Sequence, residues 1–173
     1  MSDGDRRHGG RAVAVALYVL RHAHAGDPSA WRGPDDARPL SVRGENQVAR
    51  LAAFLRRTRD RPQLILTSPK ERAKQTAAPV ATALDVPLRV EPLLGMPFGL
   101  ADLERILSAA GDPTSAMVVG HDPDFTALVE ELTGADSLPL TKGAIARIDC
   151  TRPLAPGAGV LRWLVSPDLL KDT

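Results

Sequence analysis

An arginine and a histidine stand at the end of the first apolar run of the chain. Arg21 and His22 follow the run from Val13 to Leu20, whose apolar character predicts a buried strand. The carboxyl ends of strands are where open α/β sheets build their ligand sites. Arginine presents a fixed fork of donors that fits phosphate oxygens, and histidine can act as a nitrogen nucleophile at neutral pH. The pair therefore predicts phosphoryl chemistry.

Two further junctions between a strand and a helix carry residues of the same kinds. Arg72 falls in the opening turn of a predicted helix, for which Ser68 supplies the N-cap and Pro69 the first position. His121 directly follows the apolar run 116–119. If the three strands are parallel neighbours, these side chains and the first pair converge on one edge of the sheet. Helix N-termini at that edge would add backbone donors for an anion.

Strands and helices alternate along the whole chain. The predicted strands cover about 13–20, 63–66, 88–90, 116–119, 143–150 and 160–165. The predicted helices begin at Ser41 as N-cap, run from Ser68 to about Leu84 and over 102–110, and run from Pro123 to a stop at Gly134. This alternation predicts an α/β fold with a mainly parallel sheet covered by helices on both faces.

Composition narrows the class of protein. The 173 residues predict a single domain over 12–173, preceded by a polar, disordered tail at 1–11. A net charge of +1 gives no broad cationic surface, so we expect no nucleic-acid partner. No apolar run is long enough for a membrane span or a secretion signal, and the single Cys150 is typical of a core residue in a reducing compartment. We expect a cytoplasmic protein with no membrane partner.

The three junctions also carry motifs of a known family. Arg21-His22-Ala23, the segment 68–76 and the segment 119–123 resemble the three signatures of the histidine phosphatase superfamily, also called phosphoglycerate-mutase-like. Within it, the sequence is most similar to the small bacterial phosphohistidine phosphatases of the SixA type. Further marks of the resemblance are Arg38-Pro39-Leu40-Ser41, Gly44, Gln47 and the segment 141–146. It implies a three-layer α/β/α sandwich whose mainly parallel sheet has one antiparallel edge.

The interval between Arg72 and His121 bears on access to the site. Larger members of the superfamily insert a helical lid there, whereas in this chain a predicted strand and helix already fill the interval. We therefore expect no large helical lid. A shallow, open pocket suits a phosphorylated side chain on a folded protein better than a sugar phosphate that needs enclosure.

The resemblance implies a catalytic or binding role for each motif residue. His22 would attack phosphorus and become transiently phosphorylated, and water would then hydrolyse the phosphohistidine. Arg21, Arg72 and His121 would bind the three equatorial oxygens and stabilise the transition state. No metal or other cofactor is required. His24 is either a substrate-binding residue at the pocket rim or an ordinary exposed loop histidine. A zinc site built from the histidines is disfavoured because the arginines would repel the cation.

The proton donor is left open by the sequence. The superfamily often supplies a glutamate from a segment near Glu91, but in our alignment Leu93 stands at that position. The candidates are Glu91, Asp122 and Asp124, or no residue at all. Phosphohistidine needs little acid catalysis, because its imidazole can leave as a neutral group once protonated. The missing glutamate therefore favours phosphohistidine over an alkyl phosphate.

These observations predict a metal-independent phosphatase that uses a phosphohistidine enzyme intermediate. The expected partner is a phosphorylated protein such as a phosphotransfer domain in signalling, or else a small phosphate ester. The alternatives are a small-molecule phosphomonoesterase of the same family and a non-catalytic binder of phosphorylated ligands. A mutase is a weaker option, because it must hold and reorient a bisphosphate. The loop residues Asp35, Asp36 and Arg38 are expected to be solvated, although Arg38 could orient the loop.

Overall fold

Each apolar run of the sequence forms a strand of one sheet in the computed structural model, which describes residues 13–171. The expected tail at 1–11 lies outside the described residues. The strands are β1 (Val13–Arg21), β2 (Ile65–Thr67), β3 (Leu88–Val90), β4 (Ser115–Gly120), β5 (Ile145–Arg152) and β6 (Val160–Val165). Their order across the sheet is β3-β2-β4-β1-β5-β6.

The direction of the strands divides the sheet into two parts. Strands β3, β2, β4 and β1 pair in parallel, each with its neighbour. Strand β5 runs antiparallel to both β1 and β6, and β6 forms the edge. The prediction of a mainly parallel sheet with an antiparallel side is therefore confirmed, and β1, β4 and β2 are direct neighbours.

Helices cover both faces of this sheet. They are α1 (Val42–Arg57), α2 (Glu71–Leu84), α3 (Leu100–Ala109) and α4 (Asp124–Thr133). Side chains alternate between faces along β1, so that Leu17 and Val19 join one core cluster while Tyr18 and Leu20 join the other. The first cluster contains the buried residues of α3 and α4, and the second contains those of α1 and α2. The result is the predicted three-layer α/β/α sandwich.

The starts of two helices show where local signals succeed and fail. Ser41 caps α1 as predicted, because its hydroxyl accepts the Gly44 N–H. The prediction that Ser68 caps α2 is wrong, since α2 begins later, with Lys70 in the cap position. Ser68 instead continues the line of β2, and its N–H donates to the carbonyl of Val119 on β4. The Ser68 hydroxyl therefore contacts His121, which follows β4, and does not cap α2.

The interval between α2 and β4 contains no large lid. It holds β3, a short 3₁₀ turn (Pro92–Gly95) and α3. Cys150 is buried in the core as predicted. Within residues 13–171, no helix is both long and apolar enough to cross a bilayer.

Candidate active site

The sheet itself sets the distance between His22 and His121. Strands β1 and β4 pair in a register that places Arg21 beside Gly120. Each histidine comes one residue later, and the His22 N–H donates to the Gly120 carbonyl at 2.9 Å. The centroids of the two imidazole rings are 5.1 Å apart, close to the spacing of neighbouring strands. The ends of β1 and β4 therefore bring His22 and His121 together, as predicted for neighbouring parallel strands.

The hydrogen bond of His22 fixes which ring nitrogen is free. Its Nδ1 lies 2.7 Å from the carbonyl oxygen of Ala23, and because a carbonyl can only accept, Nδ1 carries the hydrogen. Nε2 then keeps its lone pair. The residue as a whole is 6% exposed. Burial, together with the positive charges of Arg72 and Arg21, lowers the pKa of His22 to about 3. The imidazole is therefore neutral at pH 7.

Arg72 is held by the loop between β1 and α1. Its Nη1 donates to the Asp35 carbonyl at 2.8 Å, and its Nη2 donates to the Asp35 carboxylate at 3.0 Å. The same carboxylate accepts a bond from Arg38 Nε at 2.9 Å, and Arg38 Nη1 reaches the Ala25 carbonyl at 2.8 Å. The Asp35 side chain is half exposed, as expected of a solvated loop, but it also bridges two arginines. Arg38 is buried rather than solvated, and its bonds within the loop agree with the alternative that it orients this loop.

Arg21 is fixed by different groups. Its Nη1 donates to the carbonyl of Leu140 at 2.6 Å and lies 2.9 Å from the carboxylate of Asp122. That carboxylate also accepts bonds from the N–H and the hydroxyl of Thr126, in the first turn of α4. The guanidinium is thus anchored by the loop before β5 and by the start of α4.

His121 is positioned by Ser68, which the sequence had assigned to a cap. The distance from His121 Nε2 to the Ser68 hydroxyl is 2.8 Å. That hydroxyl also accepts the Lys70 N–H, and it can either donate its own hydrogen to Nε2 or accept a second hydrogen from it. In the tautomer that accepts the serine hydrogen, Nδ1 carries the proton and is a donor. Burial, followed by the charges of Arg72 and Lys70, lowers the pKa of His121 to about 3.

Three buried side-chain nitrogens have no hydrogen-bond partner among residues 13–171, and all belong to this group. They are Arg21 Nε, Arg72 Nε and His121 Nδ1. Buried polar groups in proteins are rarely left unpaired, so each such group calls for an explanation. The positive charges of Arg21 and Arg72 act on both histidines, which favours an anion as the missing partner. That these residues bind a phosphoryl group stays a prediction.

The three candidate proton donors have different surroundings. Glu91 caps the 3₁₀ turn that follows β3 by accepting the Leu93 N–H at 3.1 Å. Asp124 accepts the N–H of Phe98 at 3.1 Å. Within the described part of the chain, only Asp122 of the three contacts a predicted site residue, namely Arg21. The identity of the donor stays open.

His24 lies in a neighbouring cleft. Its Nδ1 is 2.7 Å from the Ser41 hydroxyl and accepts the N–H of Gly26 at 3.2 Å. Helix α1 approaches very closely here, since a Cβ on Gly44 would lie 2.0 Å from the His24 carbonyl oxygen. The role of His24 in substrate binding stays a prediction. Among residues 13–171, no group of three or more His, Cys, Asp or Glu side chains is placed to hold a metal ion.

The sequence did not predict the contacts of two residues near the site, Asp35 and Ser68. The spacing of Asp35 and Arg38 was a usable signal, because side chains three positions apart meet across a helical turn, and a 3₁₀ turn spans Asp35–Ala37. Nothing local pointed from Asp35 to Arg72, or from Ser68 to His121. Those contacts exist only in the folded sheet.

Known proteins resemble the chain in sequence and in structure. Residues 17–97 match the family model of the histidine phosphatase superfamily, branch 1. The phosphohistidine phosphatase SixA of Escherichia coli K12 is 30% identical over 162 residues, which is 91% of this chain and 97% of SixA. An 8-oxo-(d)GTP phosphatase of Mycolicibacterium smegmatis is 33% identical over 122 residues, or 66% of this chain and 36% of that protein.

A solved structure extends the likeness to the fold. The protein histidine phosphatase SixA complexed with tungstate superposes with a TM-score of 0.76 at 27% identity, covering 91% of this chain and 100% of that one. The sequence match to SixA runs over nearly the full length of both proteins. The chain therefore belongs to the histidine phosphatase superfamily.

Proposed function

We propose that His22 is the nucleophile of a phosphatase and that Arg21, Arg72 and His121 bind the transferred phosphoryl group. Membership of the superfamily makes the protein a phosphatase, a hydrolase of phosphoric bonds. The observation that carries the assignment of residues is the set of three buried nitrogens without partners. They belong to the residues that surround a neutral imidazole whose Nε2 keeps its lone pair.

The proposed reaction has two steps. Nε2 of His22 forms a bond to phosphorus while the bond between phosphorus and the leaving group breaks, and the leaving group takes up a proton. Arg21, Arg72 and His121 stabilise the negative charge on the three equatorial oxygens. Water next attacks phosphorus and breaks the N–P bond, which releases inorganic phosphate and restores the neutral imidazole.

We propose phosphohistidine on a signalling or phosphotransfer protein as the substrate. Leu93, which packs against the core, stands where related enzymes often carry an acid, and a protonated imidazole leaves without strong acid catalysis. No helical lid lies between α2 and β4, which suits a substrate that is itself a folded protein. SixA of Escherichia coli, a relative over almost the whole chain, is a phosphohistidine phosphatase, and the tungstate in a solved SixA structure is a tetrahedral oxyanion like phosphate.

A second candidate is the hydrolysis of small phosphate compounds. The relative that acts on 8-oxo-(d)GTP supports it. A binder without catalysis is the weaker alternative, because a neutral His22 with a free Nε2 is a nucleophile that simple binding does not need.

The decisive experiment is rapid mixing of the metal-stripped protein with a phosphotransfer protein that carries ³²P on histidine. We expect label to appear on the wild-type enzyme and then as free phosphate. In His22→Ala, turnover should fall by at least about 10³-fold, with no label on the enzyme. Label transfer in His22→Ala would refute the assignment. Turnover of an activated aryl phosphate or 8-oxo-dGTP, but not of phosphohistidine, would support the second candidate.

A further inference from the structure

A cleft of about 300 Å³ opens beside the phosphoryl pocket, between the start of α1 and the loop that leads into β5. His24 and Arg43 line it from one side, and Lys142 lines it from the other. It shares Arg43 with a second cavity of about 410 Å³ that runs along α1 past Arg50. Gln47, Pro167 and Asp168 also line both cavities, and we call the two adjoining cavities together the α1 cleft.

The charges of the α1 cleft are unbalanced. Within residues 13–171, Lys142 and Arg43 form neither an ion pair nor a side-chain hydrogen bond. The carboxylate in the lining, Asp168, is already paired with Lys171 at 2.6 Å. Burial and the charge of Lys142 lower the pKa of His24, so its ring adds a neutral nitrogen rather than a charge. The charge of Arg43 also acts on Asp168, but the lining carries more positive than negative charge. Next to the phosphoryl pocket the cleft therefore offers Lys142 and Arg43 to an anion.

The α1 cleft and the phosphoryl pocket share one backbone and one electric field. The N–H of Gly143, next to Lys142, donates to the carbonyls of both Arg21 and His22. The positive charges of Arg21 and Arg72 act on Lys142 and, after burial, help to lower its pKa. Clustered like charges destabilise a folded chain unless something neutralises them. A single ligand that reaches both places would neutralise both clusters at once.

We propose that the α1 cleft is a subsite for a second anionic group, a carboxylate or a phosphate, carried on the leaving-group side of the substrate. The inference rests on the proposed function only in taking the His22 pocket as the phosphoryl site. In a protein substrate, the second group would be an acidic side chain beside the phosphohistidine. In a small substrate, it would be a further phosphate or carboxylate of the same molecule.

Non-hydrolysable phosphonates test the subsite directly by calorimetry, without relying on turnover. The first series is phosphonoacetate, 3-phosphonopropionate and 4-phosphonobutyrate, each compared with the alkylphosphonate of the same length. The second series replaces the carboxylate with a phosphonate. We expect at least one length to bind about tenfold more tightly than its alkylphosphonate, as one charge-assisted contact would give. The terminal group that binds more tightly, carboxylate or phosphonate, identifies the chemistry of the second anionic group.

Charge-removing variants locate the effect. Lys142→Gln and Arg43→Gln should bring the affinity ratio between the matched ligands close to one. Arg56→Gln removes the same charge from the exposed last turn of α1, outside the cleft, and should keep the ratio of the wild type. It therefore controls for the loss of net charge alone.

The outcomes separate the subsite from the proposed function. If alkylphosphonates bind but every matched ratio is near one, or if the ratio survives both cleft variants, the subsite is wrong while the phosphoryl pocket stands. If no phosphonate binds, the pocket assignment fails and the subsite fails with it. If the ratio behaves as expected but phosphohistidine is not hydrolysed, the subsite stands and the substrate proposal is wrong.

Discussion

Two buried arginines, Arg72 and Arg152, differ in how completely their nitrogens are satisfied. They are 6% and 7% exposed. Arg152, at the end of β5, donates from Nε to Glu104 at 3.0 Å and from Nη2 to Ser108 at 2.7 Å, and its Nη1 is paired with Asp112. Arg72 has both outer nitrogens bound to the Asp35 loop, but its buried Nε has no partner.

The difference suits different tasks for the two arginines. The three nitrogens of Arg152 all meet acceptors within the chain, so this guanidinium links α3 to β5 and stabilises the fold. Under the proposed function, Arg72 is held at its outer nitrogens and oriented for a ligand, and its unmet Nε carries an energetic cost until that ligand binds. Burial alone does not separate the two kinds of arginine, but hydrogen-bond completeness does.

The largest effect should come from removing Arg72. We expect Arg72→Ala to lower kcat/KM for phosphohistidine by about 10²–10³-fold, the usual result of deleting one donor to transition-state charge. Arg72→Lys should recover little, because an ammonium cannot reproduce the fork held by Asp35. Stability should change little, since the substitution also relieves repulsion among neighbouring cations. Steady-state kinetics and thermal unfolding of the same preparations test this, and a variant that is unstable but fully active would contradict the comparison.

Arg152 should show the opposite pattern. We expect Arg152→Met to lower the free energy of unfolding by about 2 kcal/mol, because several charge-assisted bonds are lost while the freed carboxylates can still reach water. Turnover of the folded variant should match the wild type. Urea denaturation and kcat measured below the unfolding transition provide the check. Loss of activity without loss of stability would mean that this cluster also serves the active site.

The free energy of unfolding should depend on pH through the buried histidine His121. An unfolded histidine binds a proton near pH 6.5, whereas burial and neighbouring cations keep the pKa of His121 at about 3 in the fold. The unfolded chain therefore binds more protons between these values, and stability falls as the pH drops below about 6.5. His121 contributes about 1.4 kcal/mol per pH unit on the steep part of this window.

His121→Gln should remove that contribution and give a shallower slope between pH 6 and pH 4. Urea denaturation at several pH values measures the two slopes, and His22 contributes a similar term in both proteins. Equal slopes for the wild type and His121→Gln would show that His121 is not kept neutral by the fold.

Asp35 should give the smallest effect. We expect Asp35→Asn to lower kcat/KM by roughly tenfold, because one charge-assisted bond that orients Arg72 is lost while the backbone bond remains. The neighbouring Asp36 pairs with Lys70 at 3.3 Å and not with Arg72, so Asp36→Asn is a matched control that should stay near wild type. Asp35→Glu should recover part of the activity. Equal losses in both Asn variants would indicate a general effect of loop charge.

Sequence reasoning succeeded where the decisive contacts were local. Ser41 and Gly44 lie three residues apart, and the cap that they form can be read from the residue types alone. The alternation of strands and helices likewise gave the layers and the parallel core of the sheet. The end of β2 was placed too early because Thr67 is polar. It is nevertheless fully buried, since β3 and β4 flank its strand.

The same reasoning failed where the contacts of a side chain are with a residue far away in the sequence. Ser68 has the residue type of a cap, but a pairing with Val119 keeps its backbone extended and its hydroxyl contacts His121. Asp35 stands in a polar loop and still binds Arg72, which is 37 positions away. The motifs predicted the candidate site residues, whereas the groups that orient those residues are brought to them only by the folding of the sheet.

The pairing of β1 with β4 limits how this protein can change. Arg21 and Gly120 are in register, so the separation of the His22 and His121 imidazoles follows from the spacing of two strands paired by backbone hydrogen bonds. Loop insertions and deletions cannot widen that gap without breaking the sheet. Natural drift or laboratory selection toward new substrates must therefore act on the surrounding segments, such as 23–41, 91–99 and 134–144. The spacing of the two histidines stays constant while those segments diversify.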